Sequence, residues 1–521
     1  MKKKYILYGM MVLWGLSSCV EDEGNYDLLP INEAVVSGVE DEYNKLSYVE
    51  TLSISPVIEG SVGKLDESQL EYNWFICMGS MSATDHVHIP ICSEKNLEYP
   101  LDIAPGTYYV YLQIKDKKTN LKWEKRVTLN TLSQFVRGFY LFGDKSDGTC
   151  GMDFVSMITD RDTVVVKDIF TNSVKMKGAK DLIFTGDTWN DKSTSLWAVA
   201  ESGSYSLEYS SSLSSFDIRE DISPDKFIFP TIEVERPLVV VNTYPHAYGS
   251  GNYSITSSRK MLLTEHDVYG TSIYNDPEAY GNPVNRYSAS SSDLYKVSPY
   301  VFYPGNTTNI SRVTVYDKTN ECFTGFNSSY YSSSYSRLYA NDTEIPFYFD
   351  QTKYTPVRTL VYGENGYGNS GRSYALMTDA NGAYYIYGFL ASTTPSKQFA
   401  YNIDLSIATD FEKASHYAFF SEQSVVLYSV GSQLYGYDYV RKEKADLKDF
   451  GSEITYLAMD FNSNDTSTDF IVATYNTSEK GIVRKFTIAD DPNKIEITPH
   501  EKEVWNTDLK VVKVEYRNSA L

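Results

Sequence analysis

Histidine and cysteine are scarce in this sequence, and no C-x-x-C occurs. With 6 histidines and 5 cysteines in 521 residues, the chain lacks the ligand spacing of a structural zinc site. The one close histidine pair, His86-x-His88, shares a face if it lies on a strand, yet no third ligand is apparent and no metal is expected. G-x-S-x-G, H-E-x-x-H and a Walker-type loop are also missing, which removes the usual signatures of nucleophile-elbow hydrolases, zinc proteases and P-loop enzymes. No catalytic residue and no cofactor are assigned. Past residue 18, no apolar run approaches the ~20 residues of a transmembrane helix. Positive charge is short as well: 47 Lys and Arg against 68 Asp and Glu leave a formal charge of -21. That balance repels polyphosphates, argues against nucleic acid as a partner, and otherwise serves solubility.

What the chain does have begins with its leader. Lys2, Lys3 and Lys4 precede a mostly apolar stretch from Tyr5 to Leu16, too short to span a bilayer, and Ser17-Ser18 then lead to Cys19. Residues 1–18 therefore read as a signal peptide. The ending Leu16-Ser17-Ser18-Cys19 resembles the bacterial lipobox, in which the cysteine sulfur is acylated (palmitate-type chains) and becomes the first mature residue. Each buried methylene adds about 0.8 kcal/mol of membrane affinity, so two or three chains anchor a protein almost permanently. Removing the three leader lysines takes the charge from -21 to -21 - 3 = -24. Four further thiols remain, Cys77, Cys92, Cys150 and Cys322. An exported chain can pair them three ways; Cys77 with Cys92 is one option, and unpaired core thiols are the simpler one.

The organisation is all-β. Tyrosine supplies 45 residues, and the periodic segments are short, β-branched or aromatic, and bounded by Gly, Asn, Ser and Asp. Residues 19–33 read as a polar, acidic tether. Residues 34–132 hold several short strands, as in an immunoglobulin-like sandwich, with Trp74 as a core aromatic. Tyr109, Tyr111 and Ile114 mark the alternation of a half-buried strand between turns at Pro105-Gly106 and Lys117 to Asn120. From 133 to 521 hairpins recur, turning at Gly148, Gly203, Arg259, Asn320, Gly382, Gly431 and Gly481, with separations of 55, 56, 61, 62, 49 and 50 residues. Seven units of that period predict a seven-bladed β-propeller rather than stacked sandwiches. LKVVKVEYR near the C-terminus is expected to pair with the first unit and close the ring.

Several stretches together resemble the PKD-like lipoproteins of Bacteroidota. They are Cys19 followed by acids, Gly24-Asn25-Tyr26-Asp27, Ile31-Asn32-Glu33, Tyr72-Asn73-Trp74, Asn96-Leu97-Glu98-Tyr99, Pro105-Gly106-Thr107-Tyr108 and Gly138-Phe139-Tyr140-Leu141. The likeness covers roughly the first 150 residues and, beyond them, only the architecture. It implies an accessory outer-membrane lipoprotein beside a SusC-like transporter and a SusD-like lipoprotein in nutrient uptake. It also implies that Glu21, Asp22 and Glu23, just after the lipidated cysteine, form the signal for export to the outer face of the cell. It supplies no ligand and no catalytic motif.

Chemistry elsewhere is thin. A glycosidase using two carboxylates stays open, but 68 acids make no pair specific. Thr185-Gly186-Asp187-Thr188-Trp189 is only a distant match to an Asp-box turn. Asp460, Asn462, Asn464 and Asp465 have calcium-loop spacing but lack the glycine and terminal glutamate of an EF-hand, so a solvated turn is expected. Tyrosines in Gly- and Ser-rich segments are the better binding candidates: Tyr244, Tyr248, Tyr253, Tyr330, Tyr331, Tyr335, and the Tyr362-Gly363 and Tyr367 positions, whose rings suit stacking on sugars or gripping peptides. Blade packing is the equal alternative for them. The insertion from Asp267 to Pro299 carries further ones, among them Tyr269, Tyr274, Tyr280 and Tyr287. A surface adhesin is the third function class left open.

Overall fold

The computed structural model describes residues 31–78, 88–158, 163–171, 175–185, 195–210, 215–221, 237–242, 259–264, 268–272, 285, 287, 291, 293–303, 312–327, 337–338, 342–391, 395–461 and 467–518. The chain forms two compact units that divide between Leu132 and Ser133. Both are built of strands. Among the described residues, no helix is long and apolar enough to cross a membrane.

In the first unit, Glu42–Leu46, Lys122–Leu132, Gly106–Asp116, Leu70–Met78 and Ile89–Cys92 form one five-stranded sheet in that order. Two small pairs, Ala34–Ser37 with Val57–Gly60 and Thr51–Ile54 with Leu97–Pro100, supply a second layer. Leu52, Ile54 and Leu97 from that layer meet Trp74, Ile76, Val110, Leu112 and Leu129 in one core. Trp74 is wholly buried and its indole Nε1 donates to the Glu94 carbonyl at 3.1 Å, so this aromatic both fills the core and satisfies its own polar atom. The alternation of Gly106–Asp116 differs from expectation. Its buried phase is Tyr108, Val110, Leu112 and Ile114, whereas Tyr109 carries Arg126 over its ring and Tyr111 stacks on Phe75 on the opposite face. Side chains alternate with period two, so one phase alone can enter a core, and the smaller aliphatics took it. Cys77 and Cys92 are free thiols. Cys92 lies opposite Trp74, three residues from Cys77 along the strand, which keeps the sulfurs apart.

Among the described residues, the second unit contains seven consecutive sheets. The first orders Lys510–Asn518, Arg137–Asp144, Cys150–Ser156 and Val164–Val166; the chain's last strand thus leads its first sheet. The others are led by Ala179–Thr185, Pro237–Asn242, Val297–Phe302, Arg358–Asn365, His416–Phe420 and Glu453–Met459, each followed by antiparallel neighbours in chain order, except that the second sheet ends on Phe170–Thr171, which pairs parallel with Ser215–Asp221. Each leading strand contacts the next, and Glu453–Met459 contacts Lys510–Asn518, which contacts Ala179–Thr185, so the order of contacts returns to its start. Apolar cores lie between neighbouring sheets. Tyr374, Leu376 and Ile386 meet Phe419, Val426 and Tyr428 between the fifth and sixth. Ile471, Val483 and Trp505 meet Phe139, Leu141 and Val511 between the seventh and first. A sheet whose two faces are both apolar has no stable form alone, and the neighbours supply what it lacks.

The turn chemistry follows its expected cause at Gly148, Gly382 and Gly431, whose φ of +77°, +77° and +59° lie in the left-handed region. Gly481 serves a different purpose: a Cβ there would stand 2.1 Å from the Leu509 carbonyl oxygen, and the left-handed residue is Lys480. Arg259 is not a turn. It begins the strand Arg259–Thr264, which pairs antiparallel with Val268–Ser272, Arg259 lying opposite Ser272.

Candidate functional site

The leading strands of the second unit place titratable side chains along their free edges. A strand edge exposes unpaired N–H and C=O groups that need partners, and here a neighbouring sheet provides them from side chains. Tyr300 donates to the Val361 carbonyl at 3.3 Å, Tyr362 to the Tyr417 carbonyl at 3.0 Å, and Tyr456 to the Val514 carbonyl at 3.1 Å. His416 hydrogen-bonds the Thr455 backbone, and burial pulls its pKa below the ordinary histidine value, against that bond. Asn365 accepts from Tyr303 N–H at 3.0 Å and donates to the Val301 carbonyl at 2.8 Å. The same device is repeated around four neighbouring interfaces.

Glu364 is the most perturbed acid of this group. Burial pushes its carboxyl up to about 8, against the pull of the Phe419 N–H and the Tyr362 hydroxyl. The hydrogen bonding agrees with a protonated group. Phe419 N–H faces both carboxyl oxygens at 3.1 and 3.2 Å. Tyr362 has one proton but lies 3.0 Å from the Tyr417 carbonyl and 3.1 Å from Glu364 Oε2. A carbonyl cannot donate, so when the tyrosine proton goes to Tyr417 the other bond requires a proton on Glu364.

Lys513 carries the positive charge of the region. Its Nζ lies 3.0 Å from Asp181 Oδ1 and 3.9 Å from Glu515 Oε2, with 26% of the lysine side chain exposed. Burial works against its charge, but Asp181 first and Glu515 next outweigh it, and the amine titrates above an ordinary lysine. Burial also raises Tyr303 and Tyr456, leaving their phenols protonated.

A second charged group sits in the seventh sheet. Lys485 is fully buried, with Asp460 at 3.0 Å and Asp469 at 3.1 Å. The expected solvated turn at Asp460 is therefore corrected: its carboxylate is 3% exposed and balances an interior ammonium. Thr487, His500 and Glu503 form a row, with Oγ1 to Nε2 at 2.7 Å and Nδ1 to Oε2 at 2.6 Å. This has the outline of a nucleophile, base and orienting acid. Yet the Thr487 hydroxyl donates to Asp469 at 2.6 Å, so its proton is already committed.

Of the residues singled out from sequence, Tyr362 enters the edge-capping set, and Tyr367 is 42% exposed with its ring 6.0 Å from that of Phe461. Cys19, Glu21, Asp22, Glu23, His86, Tyr244, Tyr248, Tyr253, Tyr330, Tyr331 and Tyr335 lie outside the described residues. His88 stacks on Phe75 at 4.6 Å, and among the described residues no group of three metal-ligating side chains occurs. Cys150 and Cys322 have thiols pushed up by burial to about 12, which makes them inert at neutral pH. Glu364, Lys513 and Lys485 were not foreseen. Their signal is a charged residue within an otherwise largely apolar strand, as in KGIVRKFTI around Lys485 and KVVKVEYRN around Lys513, which is too common to read without the register.

The PKD-like family model matches residues 19–179. No curated protein matches. Solved structures that are similar include a quinoprotein alcohol dehydrogenase-like protein from Bacteroides thetaiotaomicron, at 12% identity over 94% of this chain and 100% of that one, TM-score 0.39. Another is described as a 6-phosphogluconolactonase, from Bacteroides uniformis, at 9% identity over 73% of this chain and 99% of that one, TM-score 0.44. A third is the extracellular domain of a one-component system from B. thetaiotaomicron, at 9% identity over 88% and 67% of the two chains, TM-score 0.32. Likenesses at these values transfer neither a fold nor an activity.

Proposed function

We propose that the chain is a cell-surface lipoprotein, held to the outer membrane through Cys19, that serves as an accessory binding and docking component of a SusC/SusD-type uptake system. Its first unit is the PKD-like stalk, and its second a seven-bladed β-propeller, a reading supported by the seven sheets and by the cyclic order of their contacts. The observation that carries the functional reading is the use made of the chemistry-bearing groups. Tyr300, Tyr362, Tyr456, Glu364 and Lys513 are committed to joining adjacent sheets. Such a ring is a rigid scaffold, and binding then falls to the loops it projects. Export by the acids after Cys19, and lipid at that residue, would keep the local concentration at the transporter high.

The test is purification of the tagged, full-length protein from native membranes in mild detergent. Co-purification of a SusC-like transporter and a SusD-like lipoprotein is expected; a protein that comes out alone would overturn the docking reading. Mass analysis of the N-terminal peptide reads the lipid on Cys19 separately. The protonated Glu364 favours one second reading, a hydrolase with a carboxyl acid. That reading requires glycan hydrolysis that disappears in Glu364→Gln.

A further inference from the structure

Arg358, the first residue of the strand Arg358–Asn365, is held between two tyrosine rings. Its guanidinium carbon stands 3.7 Å from the Tyr354 ring centroid and 3.5 Å from that of Tyr385. Nη1 donates to the Tyr387 hydroxyl at 2.7 Å, and Tyr387 in turn donates to Gln351 Oε1 at 3.0 Å. The two rings are fixed themselves: Tyr354 accepts from the Tyr348 N–H at 3.0 Å, and Tyr385 donates to Asp379 at 2.9 Å. Asp379 Oδ1 meanwhile caps the turn at Asn381 and Ala383. No described carboxylate lies within ion-pair distance of Arg358, whereas Lys397, Arg441, Lys485 and Lys513 each have one.

Arg358 is thus a cation without a described carboxylate partner in a chain of net charge -21. Both faces of the guanidinium are covered by rings and one edge is taken by Tyr387. The guanidinium also interacts with the Tyr385 hydroxyl; at Nε and Nη2 no carboxylate partner occurs among the described residues, and neither atom is a buried orphan. A planar fork, immobilised with its free edge toward solvent, has lost its rotamer freedom in advance and is shaped for a bidentate carboxylate. A dianion such as phosphate is the poorer match, because a single positive charge faces it and the surrounding protein is acidic.

We propose that Arg358, clamped by Tyr354 and Tyr385, is a recognition site for a monoanionic carboxylate borne by the ligand of this protein. The carboxylate can belong to an acidic sugar or to a peptide C-terminus, and the inference stands on this site alone, independent of docking to a transporter. Two pairs of probes separate the sources in calorimetric titrations of the full chain. One pair is a galacturonate trimer and the neutral galactose trimer; the other is an acetylated tripeptide with a free and with an amidated C-terminus. The wild-type protein binds at least one acid probe tenfold or more tighter than its neutral partner, and inorganic phosphate at equal concentration does not displace it. Arg358→Met abolishes that preference, and Arg358→Lys, which keeps the charge but not the fork, restores only a minor part. Equal binding of acid and neutral probes by the wild-type protein overturns the proposal without reference to any variant. So does a preference that survives in a folded Arg358→Met protein.

Discussion

Replacing Glu364 with glutamine should remove a pH dependence that the wild-type fold carries. The carboxyl titrates near 8 in the folded protein, against 4.5 for an unperturbed glutamate. Between those values the folded state holds a proton that the unfolded state has lost, so stability falls as pH rises; it is fully retained below about 4.5 and lost through about 8. Each pH unit is worth about 1.4 kcal/mol, so the step from pH 5 to pH 7.5 costs up to about 3 kcal/mol. Glutamine reproduces the protonated acid: its carbonyl accepts from Phe419 N–H and its amide donates to the Tyr362 oxygen. Urea unfolding of both proteins at pH 5, 6, 7 and 8, compared as a difference, cancels every group they share. The variant should match wild type at pH 5 and exceed it increasingly toward pH 8. A carbonyl band above 1,700 wavenumbers at pH 7, typical of a protonated carboxyl, should vanish in the variant. Parallel stability curves would refute a proton-bearing Glu364.

Lys485→Met leaves Asp460 and Asp469 buried without a cation, and urea unfolding should show a loss of about 3–5 kcal/mol, largely recovered when both acids are also made neutral. With iodoacetamide at pH 8, peptide mapping should find Cys92 labelled first, while Cys150 and Cys322, whose thiols sit near 12, stay unlabelled until the chain unfolds. Deleting Lys510–Asn518 leaves Arg137–Asp144 without its antiparallel partner and strips Val511 and Val514 from the core between seventh and first sheets. The product should be insoluble or aggregated by light scattering, whereas removing only the residues after 518 should be harmless.

How much of this was legible beforehand follows from what each signal reports. Hairpins such as YALMTDANGAYYIYGF announce themselves through local alternation and turn residues, and the β-strands Ser373–Asp379 and Tyr384–Leu390 stand where that pattern puts them. The pairing of the C-terminal stretch with the first hairpin was also readable, since an unpaired final strand has few other partners. The phase of a strand is harder: Tyr109 and Tyr111 look like core residues, but Val110 and Leu112 fit a tight sandwich better, and phase depends on the opposing layer. Arg259 looked like a turn because its neighbours are serines, while it begins a strand of the third sheet. The site was least legible. Glu364 matters through the edge of a strand 55 residues away at Phe419, and Arg358 through Tyr385 and Tyr354, which no local pattern links to it.

The leading position of Lys510–Asn518 in the first sheet also sets a clock on biosynthesis. The ribosome makes Asp144 and then 509 - 144 = 365 further residues before the strand that covers this edge begins to appear. At roughly 5–20 residues per second that is about 20–70 seconds. Throughout that interval Arg137–Asp144 presents an apolar, hydrogen-bond-hungry margin, so nascent chains are the form most in need of a holdase. In the finished unit Lys510–Asn518 covers that margin.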